Sequence, residues 1–243
     1  MNGAQNLITG VNSGLGKSVF ESVGGLGLSR SNRSSLISEC KISGVDTIVH
    51  CAFGAQGGYE QFELEDYYKY VDDNILLTKE LLDIPHNRFV YVSSLVVYEK
   101  GYNNYKMTKL YCESMVQKLS ENNLILRCPA ILNFNMKRNN LIRLIEDDNP
   151  KLSLTSDSNF NYVTDSDIID FIFNCDSTGT FDFVSSKNIK LEEISSMINK
   201  EVNFGQYRFR TPEISNKKLI GSWPKMNKTS QETLEQFLTS REI

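Results

Sequence analysis

Histidine is nearly absent from this chain. His50 and His86 are its only two, too few for a histidine-based metal centre, and no metal site is expected. His50 sits inside an apolar run, as a satisfied core residue would. The five cysteines, Cys40, Cys51, Cys112, Cys128 and Cys175, are odd in number and form no C-x-x-C pair. That pattern argues against a disulfide framework and best fits reduced, mostly buried thiols of a cytoplasmic protein. No apolar run approaches the roughly 20 residues of a membrane span, and no basic-then-apolar segment precedes the first candidate strand. There is no block of basic residues, and the net charge is −4; neither a nucleic-acid groove nor a polybasic membrane face is expected. Repeats, low-complexity tracts and long linkers are missing as well. The 243 residues suffice for one large domain, or a domain with a smaller lobe, around a real core.

Short apolar runs alternate with helix-period segments through the first half, the pattern of parallel βαβ units. Strands are expected at Asn6–Thr9, Leu26–Ser29, Thr47–Ala52, Arg88–Ser93 and Leu124–Arg127. Helices are expected near Leu15–Ser22, Glu63–Leu82 and Tyr105–Ser120. "VDTIVHCA" and "RFVYVSS" are nearly continuous apolar, as strands covered on both faces should be. After Pro129 the alternation loosens: helices near Asn139–Glu146, Asp165–Asn174 and Leu191–Asn199, with short strands around Leu152–Leu154 and Thr180–Val184. The expected fold is α/β, a Rossmann-like doubly wound parallel sheet over residues 1–132. A small C-terminal lobe over 133–243 would bind substrate, with 162–184 returning to the sheet.

In an open parallel sheet, ligands bind at the carboxyl ends of strands. Three such ends carry chemistry. After the first, "NLITGVNSGLGKSVFESV" places a glycine turn between strand and helix, where backbone N–H groups and the helix dipole attract phosphate. The spacing fails a P-loop by one residue, since five separate Gly10 from Gly16 where four are needed. It fails G-x-G-x-x-G too, so the loop alone does not choose between a nucleoside triphosphate and a dinucleotide. Ala52-Phe53-Gly54 follow the third strand and Ser93-Ser94 the fourth. Beyond them "VVYEKGYNNYKMTKLYCESM" holds Y-x-x-x-K twice, as Tyr102/Lys106 and Tyr105/Lys109. On a helix, i and i+4 share a face. A lysine cation beside a phenol favours phenolate and moves tyrosine, ordinarily near pKa 10, toward useful acid–base chemistry.

The order of these pieces resembles the extended short-chain dehydrogenase/reductase family, the NAD-dependent epimerase/dehydratases. Its T-G-x-x-x-G-x-G loop matches Thr9-Gly10, Gly14 and Gly16. Its V-x-H-x-A strand matches Val49, His50 and Ala52, and its N-x-x-x-T-x-x-L-L helix opens on Asn74. "VSSLVVY" matches its serine-bearing strand end at Ser94. Its Y-x-x-S/T-K-x-x-x-E fits Tyr105, Thr108, Lys109 and Glu113, which selects this pair over Tyr102/Lys106. "LILRCPAIL" and "NYVTDSDIIDFI" resemble its R-P strand and V-x-x-x-D helix entry.

The resemblance implies catalytic roles for Ser94, Tyr105 and Lys109, with Asn74 helping to hold the lysine through water. It implies a dinucleotide on Gly10, Ser13, Gly14, Leu15, Gly16, Ser29, Arg30, Arg33, Ala52, Phe53, Tyr105, Lys109 and Pro129. Substrate would meet Ser94, Gly54 and Asn133. A nucleotide sugar is the implied substrate and reduction or epimerisation the implied chemistry; a homodimer is compatible with it. The alternative is a dinucleotide-sensing protein that kept the fold without turnover.

Three departures refine this. NAD-binding members carry an acid after the second strand to hold the ribose 2′-hydroxyl, yet no Asp or Glu lies between Glu21 and Glu39. Ser29, Arg30 and Arg33 stand there instead, and guanidinium suits phosphate, so NADP is expected over NAD. Dehydratases of the family follow the catalytic hydroxyl with Asp-Glu; Leu95 and Val96 replace them, against 4,6-dehydration. Phe160 and Asn161 occupy the place of an arginine that often clamps the sugar-nucleotide diphosphate.

Overall fold

The computed structural model describes residues 5–54, 64–134, 136 and 138–241. Its contacts divide the chain into two compact units, Met1–Arg127 with Ile169–Phe181, and Cys128–Ile168 with Asp182–Ile243.

The first unit begins β1 (Leu7–Thr9), α1 (Gly14–Val23), β2 (Leu26–Leu28), α2 (Arg33–Ser43) and β3 (Val45–His50). A long helical segment follows: α3 (Leu64–Val71), a π-helical turn over Asp72–Leu76, and α4 (Leu77–Leu82). The single helix expected over Glu63–Leu82 is thus wound wide in its middle, and Glu63 itself lies outside the described residues. Then come β4 (His86–Ser94), a 3₁₀ turn (Leu95–Tyr98), α5 (Asn104–Leu119) and β5 (Asn123–Cys128). The order of the six-stranded sheet is β2-β1-β3-β4-β5 and then β9, whose range (Gly179–Asp182) lies beyond the second unit's first segment. β1 runs parallel to both β2 and β3, and β3 to β4. The order reverses between β1 and β3, the switch point at which a crevice opens beyond the carboxyl ends of the strands.

β1 is buried throughout, and Ile48, Val49, Phe89 and Val90 are inaccessible to solvent. Burial on both faces is why the central parts of β3 and β4 read as nearly continuous apolar runs. Leu7, Ile48, Leu81, Phe89, Cys112 and Ile125 belong to one cluster that joins sheet to helices. Arg88 ties the far end of the sheet together. Its guanidinium donates to the carbonyls of Ile172 (2.7 Å), Cys175 (3.0 Å) and Ser177 (3.1 Å), satisfying the orphan carbonyls where a helix ends.

The second unit contains β6 (Ala130–Leu132), α6 (Asn140–Glu146), β7 (Asn159–Phe160) and β8 (Tyr162–Thr164). α7 (Asp165–Asn174) carries the chain back to the first unit and β9. The remainder is β10 (Ile189–Lys190), α8 (Leu191–Met197), α9 (Lys217–Ser222) and α10 (Ser230–Ser240). β6 pairs with β8 in parallel and β10 with β7 antiparallel. Leu152–Leu154, expected as a strand, makes only isolated bridges through Lys151 and Leu154. Leu132, Leu144, Leu191, Leu234 and Phe237 form this unit's own core. Among the described residues no helix is long and apolar enough to cross a membrane, and no group of ligating side chains suits a metal ion.

Candidate active site

The glycine turn between β1 and α1 is built for close approach. Gly14 sits at φ +56°, a backbone conformation that suits glycine. A Cβ on Gly16 would fall 2.4 Å from the Thr9 carbonyl oxygen and 2.5 Å from that of Gly10, so only glycine lets the helix start this near the strand. α1 opens without a side-chain cap from Ser13, and its leading N–H groups have no preceding turn to accept them. A cavity of about 360 Å³ lies over this turn. Gly10, Ser13, Gly14, Leu15, Gly16, Ser29, Arg30, Arg33, Ala52, Phe53 and Gly54 all line it, and so do Leu28, Asp73 and Leu77. A glycine cradle with free amide donors at a helix start fits the pyrophosphate of a dinucleotide.

His50 explains how the loop after β3 is held. It is buried, with Nδ1 2.8 Å from Thr9 Oγ1 and Nε2 3.0 Å from Thr78 Oγ1. Thr78 Oγ1 donates to the Asn74 carbonyl at 2.6 Å, so it accepts from His50, which carries its proton on Nε2. Thr9 then donates to Nδ1 while accepting the Ala52 amide at 2.9 Å. Every donor in this chain meets an acceptor, provided the imidazole is neutral. Burial, reinforced by the Lys109 charge, lowers the His50 pKa to about 3.

Two residues on, Asn74 clamps the same loop. Its Oδ1 accepts the Gly54 amide at 2.8 Å, and its Nδ2 donates to the carbonyls of Gly54 (3.2 Å) and Tyr70 (2.8 Å). Its direct side-chain partners are therefore backbone groups around the loop; holding Lys109 through water is a separate proposal. With Ala52 and Gly54 both pinned, Phe53 is presented to α5. Its ring centroid lies 4.7 Å from that of Tyr105, and the Lys109 ammonium is 4.5 Å from the Phe53 centroid.

The two overlapping tyrosine–lysine pairs are placed differently along α5. Its N-cap is Asn103, whose side chain accepts the Lys106 amide at 2.7 Å. Tyr102 therefore lies before the helix, 77% exposed, and donates to Asn104 Oδ1. The Lys106 ammonium turns to the Glu99 carbonyl. Tyr105 and Lys109 both lie inside the helix, one turn apart. Lys109 is only 3% exposed and donates to the Val92 carbonyl at 2.8 Å. Its ammonium is also 4.9 Å from the Tyr91 ring centroid and 6.0 Å from that of Tyr105, so aromatic faces supply part of what water would.

Glu113, one further turn along α5, fixes the helix against the sheet. It accepts from Ser93 at 2.5 Å and takes three bonds from Arg127 on β5 across its two oxygens, the shortest 2.7 Å. That pairing raises the Arg127 pKa above its ordinary value. Ser94 ends β4, and its Oγ accepts the Val96 amide at 3.2 Å, capping the 3₁₀ turn. Leu95 and Val96 are buried within that turn. Pro129 and Asn133, the remaining expected site residues, belong to the second unit, where Asn133 is buried.

What sequence reasoning missed is the acidic side of the cavity. Arg30 donates to Asp73 through Nε (3.1 Å) and Nη2 (2.7 Å). Arg33 donates to Glu80 (2.9 Å) and twice to Asp72 (2.6 and 3.2 Å). The partners lie 39 to 47 residues away in sequence, and nothing local announces them.

No protein-family model matches this chain, and comparison with curated proteins gives no significant match. Solved structures do match. dTDP-4-dehydrorhamnose reductase from Yersinia enterocolitica superposes with a TM-score of 0.76 at 18% identity, covering 97% of this chain and 99% of that one. A UDP-glucuronic acid 4-epimerase variant from Bacillus cereus, bound to a fluorinated UDP-sugar and NAD, gives 0.71 at 14%, covering 95% and 99%. dTDP-glucose 4,6-dehydratase from Bacillus anthracis, in complex with NAD, gives 0.71 at 13%, covering 98% of each chain. The matches include complexes with NAD and with NADPH. A reductase, an epimerase and a dehydratase agree about equally well, so the fold does not choose the reaction. Over nearly its whole length, this chain has the fold of the extended short-chain dehydrogenase/reductase enzymes.

Proposed function

We propose that the protein is an NADP(H)-dependent reductase or epimerase acting at a carbonyl or carbinol carbon of a nucleotide sugar. The observation that carries this reading is the pairing of Tyr105 with a buried Lys109 on α5, in the same unit as the glycine-lined cavity and Ser94. A buried ammonium beside a phenol has a chemical use, since it lowers the cost of the phenolate; a purely sensing protein has no need of it. The dinucleotide, when bound, supplies or accepts a hydride. Gly14, Leu15 and Gly16 would hold its pyrophosphate by their amides, and Arg30 its 2′-phosphate. Ser94 would orient the substrate oxygen. Tyr105 would give that oxygen a proton in reduction and take one in oxidation, and Lys109 would stabilise the phenolate.

Elimination of water needs an acid at the leaving oxygen and a base at the neighbouring carbon. Leu95 and Val96 follow Ser94, are buried and can do neither. The test is incubation with NADPH and a panel of keto and parent nucleotide sugars, read by mass spectrometry. A gain of two hydrogens, or an isomer of unchanged mass, supports the reading. A product lighter by one water, formed at a rate that depends on Ser94 and Tyr105, overturns it.

A further inference from the structure

Resting on the dinucleotide reading above, we infer that Asp73 narrows the preference between the two dinucleotides, by competing with a 2′-phosphate for Arg30. The two arginines after β2 are not equivalent. The Arg33 side chain is 15% exposed and held by Glu80 and by both oxygens of Asp72. It fastens α2 to the helical segment after β3 and has little freedom to turn elsewhere. Arg30 is 71% exposed along its side chain, and Asp73 binds it through a two-bond fork. Arg30 is held by this one carboxylate and is open to solvent on its other sides, so it can exchange partners.

Asp73 is in the right place to compete. Its side chain is 14% exposed and lines the same cavity as Ser29, Arg30 and the glycine turn. A Cβ built on Gly54 would meet Asp73 Oδ2 at 3.2 Å, so the carboxylate stands beside the pinned loop rather than out in solvent. Asp72 and Asp73 are neighbours in the π-helical turn. Adjacent helical residues face different directions, so Asp72 reaches Arg33 while Asp73 reaches Arg30. Against two guanidinium groups, the segment supplies three carboxylates: Asp72, Asp73 and Glu80. The five side chains together carry a formal charge of −1.

A 2′-phosphate must therefore displace a carboxylate from Arg30 and then suffer its repulsion, whereas an uncharged 2′-hydroxyl need displace nothing and can donate to Asp73. Sequence shows two arginines and no acid after β2, and argues for NADP; the fold brings the acid back from a distant helix. Asp73 should narrow the preference for the phosphorylated cofactor that Arg30 creates.

The experiment is calorimetric titration of 2′,5′-ADP and of 5′-AMP, which differ only in the 2′-phosphate and report on the adenosine end without turnover. Wild type, Asp73→Asn, Asp73→Ala and Arg30→Ala are compared, with each variant's thermal midpoint recorded. Replacing Asp73 should raise 2′,5′-ADP affinity about tenfold, in line with the strength of charge-assisted bonds. Affinity for 5′-AMP should stay level or fall, and Arg30→Ala should remove the preference for 2′,5′-ADP. If both compounds bind wild type but neither Asp73 variant shifts their ratio, the inference fails and the dinucleotide reading stands. If neither compound binds any of the folded proteins, the dinucleotide reading fails and takes the inference with it.

Discussion

Acidification should unfold this protein partly through His50, and by an amount the structure bounds. The imidazole is neutral in the fold, with its pKa lowered to about 3 from an ordinary 6.5. The unfolded chain binds a proton near pH 6.5 that the folded chain refuses until near pH 3. His50 therefore leaves stability untouched above about pH 6.5 and costs stability progressively as pH falls through the interval below it. At about pH 5 the penalty is near 1.5 pK units, or about 2 kcal/mol. His50→Gln removes the titration while its amide can still donate to Thr78. The variant should be less stable than wild type near neutrality, because Thr9 loses its acceptor, by about 1–3 kcal/mol. Urea denaturation at about pH 7 and about pH 5, analysed at constant slope, gives the comparison. Wild type should lose about 2 kcal/mol more than His50→Gln across that interval. Carboxylates and other groups common to both proteins cancel in the difference. Parallel losses in the two proteins would show that His50 titrates normally in the fold, and would refute the hydrogen-bond chain from Ala52 through Thr9, His50 and Thr78 to Asn74.

Three other substitutions test the geometry elsewhere in the fold. Gly16→Ala should cost far more stability and dinucleotide affinity than Gly14→Ala. The first drives a Cβ into backbone oxygens at 2.4 and 2.5 Å, whereas the second meets nothing within 4 Å and only strains a φ of +56°, about 1 kcal/mol; thermal melts with and without NADPH measure both. Arg88→Met should lower stability by about 2–3 kcal/mol by stranding three carbonyls, read by urea denaturation, with cofactor affinity little changed because Arg88 is not among the residues lining the cavity.

The central strands were legible because burial on both faces leaves an unbroken apolar signature, as in "VDTIVHCA" and "RFVYVSS". α2 was not. Its eleven residues "RSSLISECKIS" bury only Ile37 and Cys40, and its serines weaken helical periodicity, so the crossover read as loop. α10 was also missed, although Thr229 and Glu232 form a capping box at its start; the looser pattern of the second unit masked it. The π turn at Asp72–Leu76 has no signature in a helix-period segment. The glycine turn, the Ser93-Ser94 strand end and the two overlapping Y-x-x-x-K pairs could be picked out because local spacing encodes a turn, a strand end and a helix face; the family resemblance, not the spacing, preferred Tyr105/Lys109. Where α5 begins is set by Asn103 through its cap, which leaves Tyr102 before the helix and Tyr105 within it. The carboxylates facing Arg30 and Arg33 stayed hidden because long-range ion pairs leave no local pattern.

The measurement closest to the central claim compares Tyr105→Phe with Tyr102→Phe, each loaded with cofactor, on a nucleotide sugar that wild type converts. Removing the Tyr105 hydroxyl deletes the proton relay and keeps the ring against Phe53. Turnover should fall by about 10²–10⁴-fold, with dinucleotide affinity and thermal midpoint near wild type, while the exposed Tyr102 tolerates the change. A Tyr105→Phe protein that keeps its rate, or a Tyr102→Phe protein that loses it, contradicts the account.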